Sequence, residues 1–400
     1  MSTRAPIRTD IDEIMPGVVA DRRYLHEHPE LSFHEDETAR FVADRLASLG
    51  LDDIRTGIGG TGVTALIHGG RGPGRVAMVR ADMDALPIEE ANEVDYASRT
   101  AGVMHACGHD AHTAMLLGLS RILMDRRDSF AGIVKVLFQP AEEVPPGGAI
   151  AMIEAGALDD PHVDAAFGLH VASEYPAGRI ALRPGASMAC GNIFSIHIHG
   201  RGGHAAHPYR AVDPVVVGSQ VVIALQALVS RETDPVNTGV VSITAFMAGE
   251  AFNVIPDTAE LRGTMRSLDD DILANLEERA AAICEGIGAA FGATIELDIT
   301  PGYPVLVNDD DLTAIVRGAA VDVVGAENVI DMPPVMGGED FARYCKVCPS
   351  VFFNVGVRND DLGFNWPHHH PRFDLDEEGL GAGIATMAES VLRYLDQVNG

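Results

Sequence analysis

Four short apolar runs in this chain each lead into ionisable residues. Residues 76–80 are followed by Ala81-Asp82-Met83-Asp84, and residues 133–138 by Gln139-Pro140-Ala141-Glu142-Glu143. Residues 165–169 are followed by His170, and residues 350–355, after a loop, by His368-His369-His370-Pro371. Runs this short and apolar read as buried strands. Charged groups capping a buried strand are costly without a shared partner. In open α/β sheets the carboxyl ends of the strands border one crevice, so the four clusters can converge. A pair of divalent cations is the simplest partner for them all.

Helical spacing precedes these runs over residues 38–49 and separates them over 110–124 and 148–158. Helix alternating with apolar strand predicts a mostly parallel sheet covered on both faces. The glycine-rich link 69–74 joins two strands and contains Pro73, so it reads as a turn rather than a dinucleotide loop. The character changes after about Pro184. Residues 192–199 alternate in period two; a helix (213–230), two strands (239–247 and 259–266), a helix (269–291) and a strand (293–299) follow. That β-α-β-β-α-β order predicts a small ferredoxin-like α+β unit. After Pro301-Gly302 the chain returns to helix (310–324), strand, and a last helix over 376–397. The expected class is α/β: a large domain over 1–187 and 303–400 with a mixed, mostly parallel sheet, and an α+β domain inserted over 188–302. A chain of 400 residues suits two domains.

The formal net charge of −29 argues against nucleic acid as a partner and against an anionic membrane surface. Residues 1–16 are polar and acidic and do not read as a secretory signal. The most apolar segment, 212–229, is broken by Asp213, Pro214, Gly218, Ser219 and Gln220 and predicts a core-facing helix rather than a membrane span. Five scattered cysteines (107, 190, 284, 345, 348) imply no disulfide framework, and a cytoplasmic location is expected.

The densest chemistry lies in Met104-His105-Ala106-Cys107-Gly108-His109-Asp110-Ala111-His112. Cysteine, histidine and aspartate offer thiolate, imidazole and carboxylate donors suited to zinc or a related metal. Gly108 lets the chain bend so that Cys107 and His109 face one point. His105 and His112 read as packing or orienting residues. Glu142 and Glu143 form the second cluster: neighbours in a strand-end turn diverge, so one can bind metal while the other serves as general base. A solvated acidic pair at a helix start is the plain alternative. His197 and His199, on one face of a strand, read as polar surface. His28-Pro29-Glu30 with Cys345 and Cys348 echoes a deaminase zinc site, but the halves lie too far apart and Tyr344 replaces the expected proline. The two thiols read as ordinary.

Taken together these strings resemble the dinuclear metal amidohydrolases of aminoacylase, hippurate hydrolase, auxin-conjugate (IAA-amino acid) hydrolase and carboxypeptidase G. The matching segments run from 22–38 (RRYLHEHPELSFHEDET) through 80–90 (RADMDALPIEE), 104–118, 138–143 (FQPAEE), 168–171 (GLHV), 200–208 (GRGGHAAHP), 253–267 and 337–342 (GGEDFA) to the final His-His-Pro. The resemblance implies five ligands to two divalent ions: Cys107 between the ions, with His109, Glu143, His170 and His369. The His-x-Pro spacing selects His369 from the run of three. Zinc or manganese is implied, with cobalt or nickel as further options. Glu142 would be the catalytic base, and Asp84 would orient a ligand histidine. His204 would donate to the scissile carbonyl, in relatives often from a neighbouring subunit. Asn253, Arg266 and Gly338 would lie on the substrate side. The inserted domain would be a lid and dimerisation domain, so a homodimer or higher oligomer is expected. The implied activity is hydrolysis of N-acyl amino acids. A dipeptidase or carboxypeptidase of the same family is the alternative, and a non-catalytic binding protein on the same fold a more distant one.

Overall fold

The computed structural model describes residues 7–397. The chain divides into two compact units: the larger runs to Gly185 and resumes over Val307–Pro333 and from Asp340 onward, and the smaller comprises Ala186–Leu306 and Pro334–Glu339. The smaller unit therefore takes the Pro334–Glu339 segment, which a contiguous insertion over 188–302 leaves in the larger domain.

The larger unit is built on an eight-stranded mixed sheet. Its order is Asp52–Ile58, Gly62–His68, Ile133–Gln139, Val76–Asp82, Ala165–Pro176, Ser350–Arg358, Ile180–Leu182 and Val329–Asp331. The four strands from Ile133–Gln139 to Ser350–Arg358 run parallel to one another. Gly62–His68 joins them antiparallel, and Asp52–Ile58 pairs antiparallel with Gly62–His68 at the edge. Every residue of Val76–Asp82 is buried, as is all but one residue of Ile133–Gln139, which accounts for their unbroken apolar character. Successive side chains take opposite faces. Val134, Val136 and Phe138 join a core with Val63, Ala65, Val79 and Phe167 and with helical residues such as Leu116, Leu119 and Val391. Lys135, between them, sends its ammonium to the carbonyls of Ala157 and Pro161.

Several features differ from the sequence expectation. The helix Arg8–Glu27 carries Pro16 in its interior, and that proline and its polar residues hide it. The edge strand Asp52–Ile58 is exposed along most of its length and so lacks a buried alternation. The helix expected to reach residue 158 stops at Glu154, just before Gly156 adopts φ +79°. The strand expected over 165–169 continues to Pro176.

The smaller unit has a four-stranded antiparallel sheet in the order Gly239–Ala248, Thr258–Ser267, Cys190–His199, Thr294–Pro301, the neighbour pattern of a ferredoxin-like fold. Its core joins Phe194, Ile196 and Ile198 to Val217, Val221 and Leu225 of one helix and Leu273, Leu276 and Ala280 of the other. The first helix, Pro214–Ala227, faces that core with one side only, since Val216 and Ile223 are exposed. With its continuation to Glu232 it is the one helix, among the described residues, long and apolar enough to cross a bilayer by length and composition.

Candidate metal centre

The Val76–Asp82 strand delivers Asp82 and Asp84 to the carboxyl edge of the large sheet, and the helix His109–Asp125 begins directly opposite them. Gly108, at the helix start, has φ +89°, and a Cβ there would lie 2.4 Å from Val171 Cγ2. Only glycine fits this bend. It sets Cys107 and His109 toward the same point, where Cys107 Sγ lies 3.4 Å from Nε2 of His170, carried by the neighbouring strand.

Two groups of donors share Cys107. Cys107, His109 and His170 present ligand atoms within 4.8 Å of one another, as do Cys107, Glu143 and His369. His109, Glu142 and Glu143 form a third such group. His369 Nε2 is 3.2 Å from Glu143 Oε1, and His109 Nε2 is 3.9 Å from the same oxygen. The remaining two histidines of the triple face elsewhere: His368 is buried against Phe373 and His170, and His370 stacks on Trp366 at 4.2 Å.

The donors fit divalent cations on four counts. His109 Nε2 and Glu143 Oε1 are buried with no aligned hydrogen-bond partner, an unfavourable state unless a ligand completes them. Burial pushes His170 down to about 4, leaving the neutral imidazole that binds metal. Burial and Glu143 push the Cys107 thiol well above its ordinary value, so its thiolate needs a cation beside it. At His109, burial disfavours the charged ring, yet Asp82 and Asp84 outweigh it and hold the pKa well up; positive charge is favoured at this point.

Orienting contacts surround these donors. His109 Nδ1 lies 2.9 Å from the Asp84 carbonyl and 3.1 Å from Asp84 Oδ1. Asp84 Oδ2 accepts from Ser32 Oγ at 2.7 Å and from the Glu143 amide at 3.0 Å. Burial would raise the Asp84 pKa, but these donors hold it below the ordinary carboxylate value. His112 Nδ1 is 2.6 Å from Asp82 Oδ1, and its Nε2 accepts from the Val171 amide. His105 is buried with both ring nitrogens unpaired and is pushed down to about 4 by burial.

Beneath the Glu142–Glu143 turn sits a network that sequence reasoning did not single out. Asp340 accepts from Arg80 Nη2 at 2.7 Å, from Gln139 Nε2 at 2.8 Å and from the Ala149 amide at 3.0 Å. Arg22, fully buried, bonds Asp110 and Asp374, each at 2.8 Å. Arg22 opens the 22–38 segment, and only the fold shows that it reaches the residue after His109.

The other candidates belong to the smaller unit. His204 and Val254 pair in a two-stranded ribbon, and Asn253 O accepts from the Ala205 amide. Arg266 Nη1 donates to the Met336 carbonyl at 3.0 Å. A Cβ at Gly338 would lie 3.4 Å from the Tyr303 ring. His197 and His199 pair with Asp298 and Glu296 at 3.6 and 4.0 Å on the outer sheet face. All five cysteines are free thiols.

Residues 78–393 match the model of Peptidase family M20/M25/M40. The chain is 39% identical to thermostable carboxypeptidase 2 of Saccharolobus solfataricus, over 97% of this chain and 98% of that one. It is 40% identical to IAA-amino acid hydrolase ILR1-like 5 of Arabidopsis thaliana, over 97% and 88%. Among solved structures it resembles the YxeP protein of Bacillus subtilis, described as a dinuclear metal-binding peptidase of the M20 family. That likeness has a TM-score of 0.82 and 35% identity over 97% of this chain and 100% of that one. A family model spanning most of the chain, and relatives near 40% identity over almost all of it, place this protein in peptidase family M20/M25/M40, among the metal-dependent amidohydrolases and peptidases.

Proposed function

We propose that the chain hydrolyses the amide bond of N-acyl amino acids, with Cys107, His109, Glu143, His170 and His369 holding two divalent ions and Glu142 moving the proton. The observation that carries this reading is the pair of donor groups sharing Cys107 with Glu142 beside them. Zinc suits the thiolate, and manganese is the option that the family resemblance implies. When bound, the ions supply an acidified water and polarise the scissile carbonyl.

The chain's own residues do the rest. Glu142 accepts a proton as the water oxygen bonds to the carbonyl carbon, and later gives it to the departing nitrogen, because an amine anion is too poor a leaving group near neutral pH. Asp84 holds the His109 ring through Nδ1 and so directs Nε2 toward the shared point. His204 is assigned the donation of a hydrogen bond to the carbonyl oxygen, Asn253 and Arg266 the substrate carboxylate, and Gly338 a close backbone approach on the substrate side, in a homodimer with the smaller unit as lid. The IAA-amino acid name of the Arabidopsis relative favours acyl amino acids; the carboxypeptidase name of the Saccharolobus relative keeps peptides as the second reading. Amine release from a panel of N-acyl amino acids and dipeptides separates the two. Glu142→Ala should retain its metal and lose about a thousandfold in kcat; a variant that keeps turnover refutes the assignment.

A further inference from the structure

The turn that carries Glu142 and Glu143 is held in an unusual backbone conformation. Ala141, fully buried, has φ +52°, a region that residues with a Cβ rarely adopt. Its amide donates to Glu35 Oε1 at 2.9 Å. The same oxygen accepts from the amide of Phe33 at 3.0 Å, and Phe33 is itself at φ +66°. The other oxygen, Oε2, accepts from Thr61 Oγ at 2.7 Å. Glu35 is completely buried, so one carboxylate gathers three donors away from water.

The consequence falls on Glu142. The amide before it, at Ala141, is anchored on Glu35, and the amide after it, at Glu143, is anchored on Asp84. Ser32 ties the two anchors together, since its hydroxyl also donates to Asp84 from the segment that carries Phe33 and Glu35. Without the Glu35 acceptor, Ala141 would gain by relaxing to negative φ, and the following peptide would turn both carboxylates away.

We propose that Glu35 is a positioning residue: by accepting from Ala141 it holds the turn in its left-handed form and thereby aims Glu142 and Glu143. This rests on the reading of Glu142 as proton carrier and Glu143 as ligand. The claim concerns the acceptor oxygen and not the charge, so glutamine, which keeps Oε1, should substitute.

The test uses metal-loaded enzyme and four variants: E35Q, E35A, A141G and E35A/A141G. E35Q should stay within about threefold of wild-type kcat, whereas E35A should lose about 100-fold in kcat with little change in KM. Glycine takes positive φ without a Cβ penalty, so E35A/A141G should recover at least about tenfold over E35A, far more than A141G changes the wild type. The visible absorption of the cobalt-loaded protein is the second readout: its bands should shift in E35A and return in the double variant, because Glu143 moves with the turn. If E35A does not fold, E35D supplies the same comparison with the anchor shortened. An E35A enzyme with wild-type kcat and spectrum overturns the proposal, as does a loss that A141G fails to relieve. An active E142A would instead sink the proton-carrier reading and leave the spectral comparison standing.

Discussion

Replacing Arg22 by methionine gives the sharpest stability prediction. The guanidinium is fully buried; its Nε bonds Asp110 and its Nη2 bonds Asp374, each at 2.8 Å, while Glu377 lies 3.4 Å from Nη1. Tyr96 packs on it, 5.0 Å from ring centroid to Cζ. Methionine fills similar volume, so the loss is electrostatic: Asp110 and Asp374 are left buried without their main cation. Breaking a buried pair from one side costs about 3–5 kcal/mol. His26, 2.8 Å from Asp110, remains as a second partner and sets the expectation at the lower end, about 3 kcal/mol. The pH dependence distinguishes this cause from lost packing. Burial would raise the Asp110 pKa, but Arg22 and His26 hold it far below the ordinary carboxylate value. A depressed carboxylate stabilises above its unfolded pKa and loses that contribution as pH falls. The R22M deficit should therefore be full at pH 7 and down to about 4, and shrink only as pH falls below the ordinary aspartate value, where a protonated Asp110 needs the cation less. Urea unfolding followed by the fluorescence of Trp366, the sole tryptophan and a residue of the larger unit, measures this at each pH. A deficit under about 1 kcal/mol at pH 7, or one that grows on acidification, refutes the reasoning.

Gly108→Ala places a Cβ 2.4 Å from Val171 at a φ of +89°; metal content after dialysis should fall and the larger unit should lose at least about 2 kcal/mol in urea titration. Cys107→Asp should retain two ions per chain because a carboxylate can also bridge, whereas Cys107→Ala should retain fewer, as read by metal analysis. Burial pushes His26 down, but Asp110 and Glu90 outweigh it and raise it to about 9 from 6.5. A raised histidine stabilises fully below 6.5 and loses that contribution as pH climbs to 9, so the urea midpoint should fall across that window and His26→Gln should flatten the change.

Much of the candidate site was legible in the sequence. Apolar runs that lead into Asp82, Glu142 and His170 announce a crevice, because strand burial leaves those charges little choice but to converge, although the strand carrying His170 continues past it to Pro176. The Cys107-Gly108-His109 bend was legible because a glycine between two donors has few other uses. The contributions of Arg22, Glu35 and Asp340 were not legible. Each acts across 88 or more residues of sequence, through a buried bond that no local spacing encodes. The Arg8–Glu27 helix was masked for a different reason: Pro16 argues against a helix interior locally, and packing against the His109–Asp125 helix overrides it. The helix at Pro214 shows the converse, since its composition reads as core while Val215, Val216 and Ile223 are exposed.

Anomalous diffraction from crystals of the manganese- or zinc-loaded protein, recorded at the metal's absorption edge, tests the centre most directly. Two peaks are expected in the larger unit, with Cys107 Sγ reaching both, His109 and His170 on one, Glu143 and His369 on the other, and Glu142 bound to neither. A single peak, or peaks coordinated by other side chains such as His197 and His199, would contradict it.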